Sequence, residues 1–421
     1  MRILIVHQYY LFPGQPGGSR FNEFARQWAA SGHDVTVVAG SLNYATNEVD
    51  PECRGKWTVL QQDGEVTVWR CHVPSSYGNS YIGRAWAFLG FTLSAATAAI
   101  RARDVDVVIA TSPPLVAALP GYLAARLHKR KIPWVFEIRD LWPESAVSTG
   151  VLSEYSVITK GLYALEKFAC NHAARINVLT PAFEEDIVKR GLVPRERVVF
   201  IPNGADVGMF TPQKADQELR KELGWEDKFV VMYCGAHGRA NALHQLIEAA
   251  EVLRERKDIL IACVGDGPER RSLETEASRR ELTNIVFNGP RSKSEMPSIV
   301  NACDVGAAVL QDNPTFRTVY PNKVFDYMSC EKPTLLAIDG VAREMVCNDA
   351  RAGIFARPED CVDIAEKISR LMEDEKGRNE MGRRGRKWVL ENATRESLAE
   401  RYLEVLQGLF DDRKRNNKKA S

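Results

Sequence analysis

Residues 229–241, Phe229-Val230-Val231-Met232-Tyr233-Cys234-Gly235-Ala236-His237-Gly238-Arg239-Ala240-Asn241, join six apolar residues to a loop carrying two glycines. A short, Val-rich apolar run reads as a buried strand. The glycines that follow let backbone N–H groups approach a ligand, and Arg239 offers a planar fork suited to phosphate oxygens. An ordinary exposed loop arginine is the plain alternative. The same device stands at the start of the chain. Arg2-Ile3-Leu4-Ile5-Val6 reads as a strand, and the loop from His7 through Gly14, Gly17 and Gly18 to Arg20 leads into a helix over 22–30 that stops at Gly32. Gly17 and Gly18 would bring backbone donors to an anion at that helix N-terminus. The loop matches neither a G-x-G-x-x-G nor a Walker pattern, so a simple turn before a helix is the other reading.

Working outward from both loops, strands and helices alternate in two blocks. In the first, strands are expected over 2–6, 35–39, 105–110, 134–138 and 176–179. A hairpin over 57–73 turns at Asp63-Gly64. Helices are expected over 115–128 and 158–172, with another opened by the cap-and-proline pair Thr180-Pro181. Turn formers from Pro202-Asn203-Gly204 through Phe210-Thr211-Pro212 mark a boundary. The second block places strands over 229–234, 259–264, 285–287, 305–309 and 334–337. One of its helices opens with the capping box Ser292-Lys293-Ser294-Glu295, and the chain ends in helices over 364–372 and 398–410. The fold class is therefore α/β: two doubly wound, Rossmann-like domains over 1–205 and 206–389, each a parallel sheet covered on both faces. Ligands in such domains bind at the carboxyl ends of the strands, so a cleft is expected where the two domains face each other. The basic tail over 413–421 is expected to be disordered.

Composition removes several function classes. The 421 residues carry 56 Lys plus Arg against 55 Asp plus Glu, a net charge of +1, which argues against a nucleic-acid partner. The nine cysteines are odd in number, scattered and free of C-x-x-C pairs, so neither a disulfide framework nor a zinc site is expected. A reducing cytoplasm fits. The strand pattern begins at Arg2, and no signal peptide is expected. The segment 85–100, AWAFLGFTLSAATAAI, is too short and too rich in Ala, Ser and Thr for a membrane span. It reads either as a buried helix or as a helix lying in the lipid headgroup layer, with Trp86, Phe88 and Phe91 as anchors and Lys129-Arg130-Lys131 adding attraction to anionic lipid.

Further strand ends carry candidate chemistry. Val264-Gly265-Asp266-Gly267-Pro268 reads as one wall of a nucleotide base pocket or as a tight turn. Gly289-Pro290-Arg291 could hold the base or its ribose. In Pro314-Thr315-Phe316-Arg317-Thr318-Val319-Tyr320-Pro321-Asn322-Lys323-Val324-Phe325-Asp326-Tyr327-Met328, Pro321 starts a helix and Lys323 lies in its first turn. A lysine there opposes the helix dipole, which makes sense beside an anion. Asp326, one turn on, could accept from ribose hydroxyls; a surface Lys323–Asp326 pair is the alternative. Arg139-Asp140-Leu141-Trp142-Pro143-Glu144 ends the strand at 134–138. Arg139, Asp140 and Glu144 would steer an acceptor hydroxyl and offset developing charge, or else brace the loop as a buried ion pair. Asp104-Val105-Asp106 has the form of a D-x-D metal motif. It lies at the start of a strand, the wrong end for a site, so no metal is expected.

These motifs together, with Pro16-Gly17-Gly18, Ile201-Pro202-Asn203-Gly204 and Tyr233-Cys234-Gly235, resemble the family 4 glycosyltransferases of the GT-B fold. The likeness spans nearly the whole chain. It is greatest to the bacterial group that builds capsule, colanic acid and O-antigen repeat units, including N-acetylfucosaminyl transferases. The resemblance implies a nucleotide-diphosphate sugar donor, usually a UDP-sugar, metal-independent transfer and retention at the anomeric carbon. It also implies a C-terminal helix, about 390–412, that packs back on the first domain. Three departures stand out. The family's two glutamates eight positions apart fall on Thr318 and Asp326. Its arginine and lysine after the second-domain glycine fall on Ala236 and Asn241, leaving Arg239 and Lys323 to serve the diphosphate. Its histidine after the fourth main strand is Arg139.

The resulting expectation is a transferase whose UDP-sugar, of N-acetylated hexosamine type, binds mainly to the second domain. Asp140, Arg139, Arg239 and Lys323 form its catalytic group. Gly17, Gly18, Gly235, His237, Gly265, Gly267, Arg291, Pro321, Asn322 and Asp326 join Arg239 and Lys323 around the donor. His7, Asp140, Trp142 and Glu144 face a lipid-linked saccharide acceptor. No cofactor is expected, and residues 81–101 would rest on the inner face of the cell membrane. Two other readings stay open: a UDP-sugar 2-epimerase on the same architecture, and a non-catalytic nucleotide-sugar-binding subunit, which Thr318 keeps in view.

Overall fold

The computed structural model describes residues 1–13, 15, 20–43, 48–74, 81–102, 104–127 and 131–420. The chain divides into two compact units, Met1–Pro202 with Arg395–Ser421, and Asn203–Thr394.

The first unit holds β1 (Arg2–Val6), β2 (Asp34–Gly40), β5 (Thr58–Asp63), β6 (Val66–Cys71), β7 (Val107–Ser112), β8 (Trp134–Ile138), β9 (Arg175–Val178) and β10 (Val198–Phe200), plus a small ribbon of β3 (Leu42–Asn43) and β4 (Glu48–Val49). The eight-stranded sheet runs β10-β9-β8-β7-β1-β2-β6-β5. Every pair is parallel except β5 with β6, a hairpin at the edge. Gly64 turns it at φ +60°. The strand order reverses at the β1/β7 pair, the position at which open sheets bind ligands. Asp104 and Asp106 lie before β7, at the opposite edge, and take up Arg2 at 3.6 and 3.7 Å.

Helix Arg20–Ala30 buries Phe21, Phe24 and Trp28 on this sheet, and helix Arg395–Ala420 adds Leu398, Tyr402 and Leu406 to the same core. Trp28 Nε1 donates to the Ala399 carbonyl at 2.9 Å. The last helix begins at Arg395 and continues to Ala420, so the segment from Arg413 is helical where disorder was expected. Its Lys, Arg and Ala residues favour helix, and Arg413 Nη1 reaches the Asp106 carbonyl at 3.0 Å. Helix Tyr81–Arg101 is longer than the apolar segment that announced it. Ala87, Phe91, Ala95, Ala98 and Ala99 are buried on one face, while Trp86, Leu89, Leu93 and Ile100 are exposed on the other. Phe91, expected as an interfacial anchor, packs inside. No helix among the described residues is long and apolar enough to cross a membrane.

The second unit contains β11 (Phe229–Cys234), β12 (Ile259–Val264), β13 (Ile285–Gly289), β14 (Val305–Val309), β15 (Thr334–Ala337) and β16 (Gly353–Phe355). They form an all-parallel sheet in the order β13-β12-β11-β14-β15-β16, reversing at β11/β14. Helix Glu375–Asn392 was not expected, because Gly382 and Gly385 interrupt its pattern. Both are there for close packing: a Cβ on Gly382 would stand 2.0 Å from the Glu331 carbonyl oxygen. The capping box also differs from expectation. Glu295 accepts from Ser292 N and Oγ at 2.8 and 2.5 Å, but the helix starts at Met296, one turn later.

A buried ion pair anchors the end of the first unit. Arg20 meets Glu137 at 2.5 Å with both side chains at most 1% exposed. Arg20 Nη1 also donates to the Ile201 carbonyl at 2.6 Å and to that of Pro202, and Asn177 donates to Glu137 at 3.0 Å. Removing one partner strands a charge in the core. Arg20→Met should cost about 3–5 kcal/mol, read from urea midpoints, and Arg20→Met with Glu137→Gln should lose less. Equal losses for the two would contradict the pairing.

Candidate functional site

In the second unit the loops after β11 and β12 touch backbone to backbone. Gly235 (φ +136°) and Gly265 (φ +142°) lie so close that a Cβ on Gly265 would stand 1.9 Å from the Gly235 oxygen. A Cβ on Gly267 would stand 2.5 Å from the His237 oxygen. His237 N donates to Asp266 O at 2.8 Å and Glu269 N to His237 O at 2.9 Å. These glycines are demanded by the approach of two strand ends.

Helix Asn322–Ser329 is set against this point by Tyr327. Its hydroxyl accepts from Cys234 N at 3.0 Å, and its ring lies where a Cβ on Gly306 would be 2.3 Å away. Pro321 ends the extended approach to the helix. Lys323, in the first turn, sends its Nζ to 3.5 Å from the centre of the Tyr233 ring, and Gly235 lies beside that Nζ. Tyr233 is held by a 2.8 Å bond from its hydroxyl to Ala236 O. No carboxylate pairs with Lys323 among the described residues. Burial pushes its amine down to about 8, because desolvation disfavours the charged form.

His237 is fully buried between Tyr233 and Phe287, with ring centres 6.1 and 6.0 Å away, and neither ring nitrogen has a hydrogen-bond partner among the described residues. Burial, then Arg270, holds its pKa below the ordinary value, so the ring is neutral. Gly235, His237, Gly265, Gly267, Pro321 and Lys323 thus converge. Asn322 accepts from Asn203 Nδ2 at 2.6 Å. Asp326 is half-buried, close enough to the Cys234 and Cys330 thiols to raise their pKa values. Arg239 follows β11 on a short 3-10 turn, exposed, and makes no salt bridge among the described residues. Arg291 Nη1 lies 3.5 Å from both Glu222 and Glu295. Thr318 spends its hydroxyl on the Thr315 carbonyl at 2.6 Å.

In the first unit, His7 follows β1 and is buried, its Nδ1 2.7 Å from Thr111 Oγ1 at the end of β7. Burial, then Arg139 and Arg20, drives its pKa well down, leaving a neutral imidazole. Arg139 N bonds to Ser112 O at 2.9 Å. Asp140 accepts from Ser145 Oγ at 3.0 Å, and burial raises its pKa. Trp142 N donates to Asp140 O at 2.8 Å. Glu144 accepts from Tyr163 at 2.5 Å, so it braces helix Val157–His172 rather than standing free. That contact spans 19 residues and left no local signal. His7, after β1, and Asp140, after β8, therefore lie at the carboxyl edge of the same sheet, with β7 between them. Gly17 and Gly18 lie outside the described residues. No group of three or more His, Cys, Asp or Glu fit to hold a metal occurs among the described residues.

The comparisons agree with this architecture. Residues 17–204 match a glycosyl transferase 4-like domain, and residues 215–388 match glycosyl transferases group 1. WcaI of Escherichia coli strain K12, a glycosyl transferase assigned to colanic acid biosynthesis, is 26% identical over 338 residues, 78% of this chain and 81% of that protein. CapM of Staphylococcus aureus, a capsular polysaccharide biosynthesis glycosyltransferase, is 25% identical over 308 residues, 70% of this chain and 74% of that one. Among solved structures, Anabaena Alr3699/HepE in complex with UDP superposes with a TM-score of 0.71 at 19% identity, over 97% of this chain and 100% of that one. With family models on both units, and two parallel sheets of this strand order, the chain is a family 4 glycosyltransferase of the GT-B fold.

Proposed function

We propose that the second unit binds a UDP-sugar, of N-acetylated hexosamine type, and that the enzyme transfers the sugar without a metal and with retention to a lipid-linked saccharide in bacterial surface polysaccharide synthesis. The observation that carries this reading is the unpaired Lys323 ammonium, stacked on Tyr233 at the first turn of helix Asn322–Ser329 and beside Gly235. Lysine, helix end and glycine backbone together suit the diphosphate of a leaving nucleotide. Arg239 lies on the same strand end, where it would close over the phosphates, and neutral His237 would donate or accept at the sugar. Asp140 would orient the acceptor hydroxyl. The UDP complex of the Anabaena neighbour and the polysaccharide relatives support the donor and pathway classes.

Lys323→Ala should lower turnover about 10²–10³-fold, the usual loss for one electrostatic stabiliser. Its melting temperature should hold or rise, because a desolvated ammonium is removed. Near wild-type transfer by a folded variant would refute the assignment.

Proton linkage gives an independent check. The free amine sits near about 8, and a bound diphosphate would return it toward 10.5. Above pH 8 the free protein loses this proton while the complex keeps it. UDP affinity should therefore fall as pH rises through about 8, with proton uptake on binding seen by calorimetry in buffers of different ionisation enthalpy. Lys323→Met should abolish that uptake.

We also assign the exposed stripe Trp86, Leu89, Leu93 and Ile100, with Trp57 and Leu60 exposed on and beside strand β5, to contact with the cytoplasmic membrane surface. Trp57 Nε1 bonds to Thr97 Oγ1 of the same helix at 3.1 Å, and exposed Arg54, Lys56 and Arg101 suit anionic headgroups. The wild type should sediment with phosphatidylglycerol vesicles. Trp86→Glu with Leu93→Glu should stay in the supernatant while still binding UDP. Retention of this double variant on vesicles would exclude this face.

A further inference from the structure

Beyond the residues already discussed, the first unit has a cavity of 340 Å³ whose lining includes Tyr10, Gln15, Asn43, Glu48, Asp50 and Arg70. It opens where β1, β2 and β6 end. Tyr10 follows β1, Asn43 lies just beyond β2, and Arg70 is the penultimate residue of β6. These strands are neighbours in the sheet, and their carboxyl ends share the edge that carries His7 and Asp140.

Arg70 makes this a built site rather than a surface dent. It is 5% exposed, and its guanidinium lies 4.4 Å from the centre of the Phe12 ring. Nη1 donates to the Tyr10 carbonyl at 2.6 Å and to Gly40 at 3.2 Å, and Nε donates to Gln61 at 3.1 Å. Nη2 makes no hydrogen bond among the described residues, so a buried cation keeps one donor for a ligand. Gln15 uses its carbonyl oxygen on Phe12 N at 2.8 Å, leaving its amide nitrogen as a second donor. Asp50 is fixed by Glu52 N at 3.0 Å and Gln61 at 3.1 Å. Glu48 is exposed and makes no salt bridge among the described residues.

Planar donors, carboxylate acceptors and the Tyr10 ring in one concavity suit a polyhydroxyl ligand. The charge is informative. Two carboxylates oppose one guanidinium that is already mostly engaged, which disfavours a phosphate or a uronic acid. Position narrows the choice further. β2 and β6 stand one and two strands from β1, or roughly 5–10 Å at about 4.8 Å per strand, and Asp140 follows β8, two strands to the other side. A ligand spanning from Asp140 to the cavity would cover roughly 15–20 Å, more than a single sugar.

We propose that this cavity is an acceptor subsite that holds a neutral sugar residue set back from the reacting end. The assignment rests on the glycosyltransferase reading, and the test keeps the two apart. Saturation-transfer NMR would be run on the full chain with saturating UDP present. Methyl glycosides of glucose, galactose and N-acetylglucosamine, with methyl glucuronoside for comparison, would serve as probes. At least one neutral glycoside should receive saturation, and the glucuronoside should not. Asn43→Trp, which fills the cavity, should weaken binding at least tenfold, as should Glu48→Ala at an exposed position that the fold does not need. UDP binding by calorimetry should be unchanged in both variants. Silence of every neutral probe, signal unaltered by both substitutions, or equal binding of the glucuronoside would each overturn the subsite. Failure of the wild type to bind UDP would instead count against the donor assignment.

Discussion

The Lys323 ammonium stands at the positive end of helix Asn322–Ser329, over the face of Tyr233, with no carboxylate paired to it among the described residues. Helix dipole and burial both oppose that charge, while the ring face offsets only part of the cost. Much of the surrounding structure serves to hold this arrangement. Tyr327 pins the helix to β11 by accepting from Cys234 N, and Gly306 makes room for its ring. Gly235, Gly265 and Gly267 let two loops close on each other beside the amine. An electrostatically unfavourable cation, rigidly framed, is the feature on which the proposed diphosphate site rests.

The first unit uses the same sheet edge differently. There His7 is buried and Asp140 half-buried. His7 is uncharged, and desolvation raises the Asp140 pKa. Charge is spent instead on structure, in the Arg20–Glu137 pair under the Ile201 and Pro202 carbonyls. One sheet end carries Lys323 without a carboxylate partner among the described residues, and the other carries His7 and Asp140 beside Arg139. That division matches a nucleotide on one unit and a sugar hydroxyl on the other, as proposed.

Comparison of expectation with structure separates two kinds of signal. Strands β11, β12, β14 and β15 occupy the residues that their apolar runs marked, because a strand buried on both faces needs an unbroken apolar sequence. Helix Glu375–Asn392 escaped notice because Gly382 and Gly385 look like breakers until Glu331, Met328 and Ala352 are packed on them. Strands β10 and β16, three residues each, are too short to show a period. Lys323 was legible as an anomaly, since a lysine in a first turn contradicts the dipole. Of the two carboxylates near Arg291, Glu295 is four residues away in sequence, while Glu222 is 69 residues away and left no local signal.

Sequence alone determined the alternation of strand and helix, the two glycine-bearing loops and the residue types at the strand ends, because periodicity and turn chemistry are local properties. Tertiary structure decided which of those residues meet. It stacked Lys323 on Tyr233, left His237 with two unpaired nitrogens, bound Glu144 to Tyr163, and opened a cavity around Arg70 that no motif marks. Contacts between residues tens of positions apart depend on strand order, and strand order is fixed by how the whole sheet buries its faces, which no single window of sequence contains.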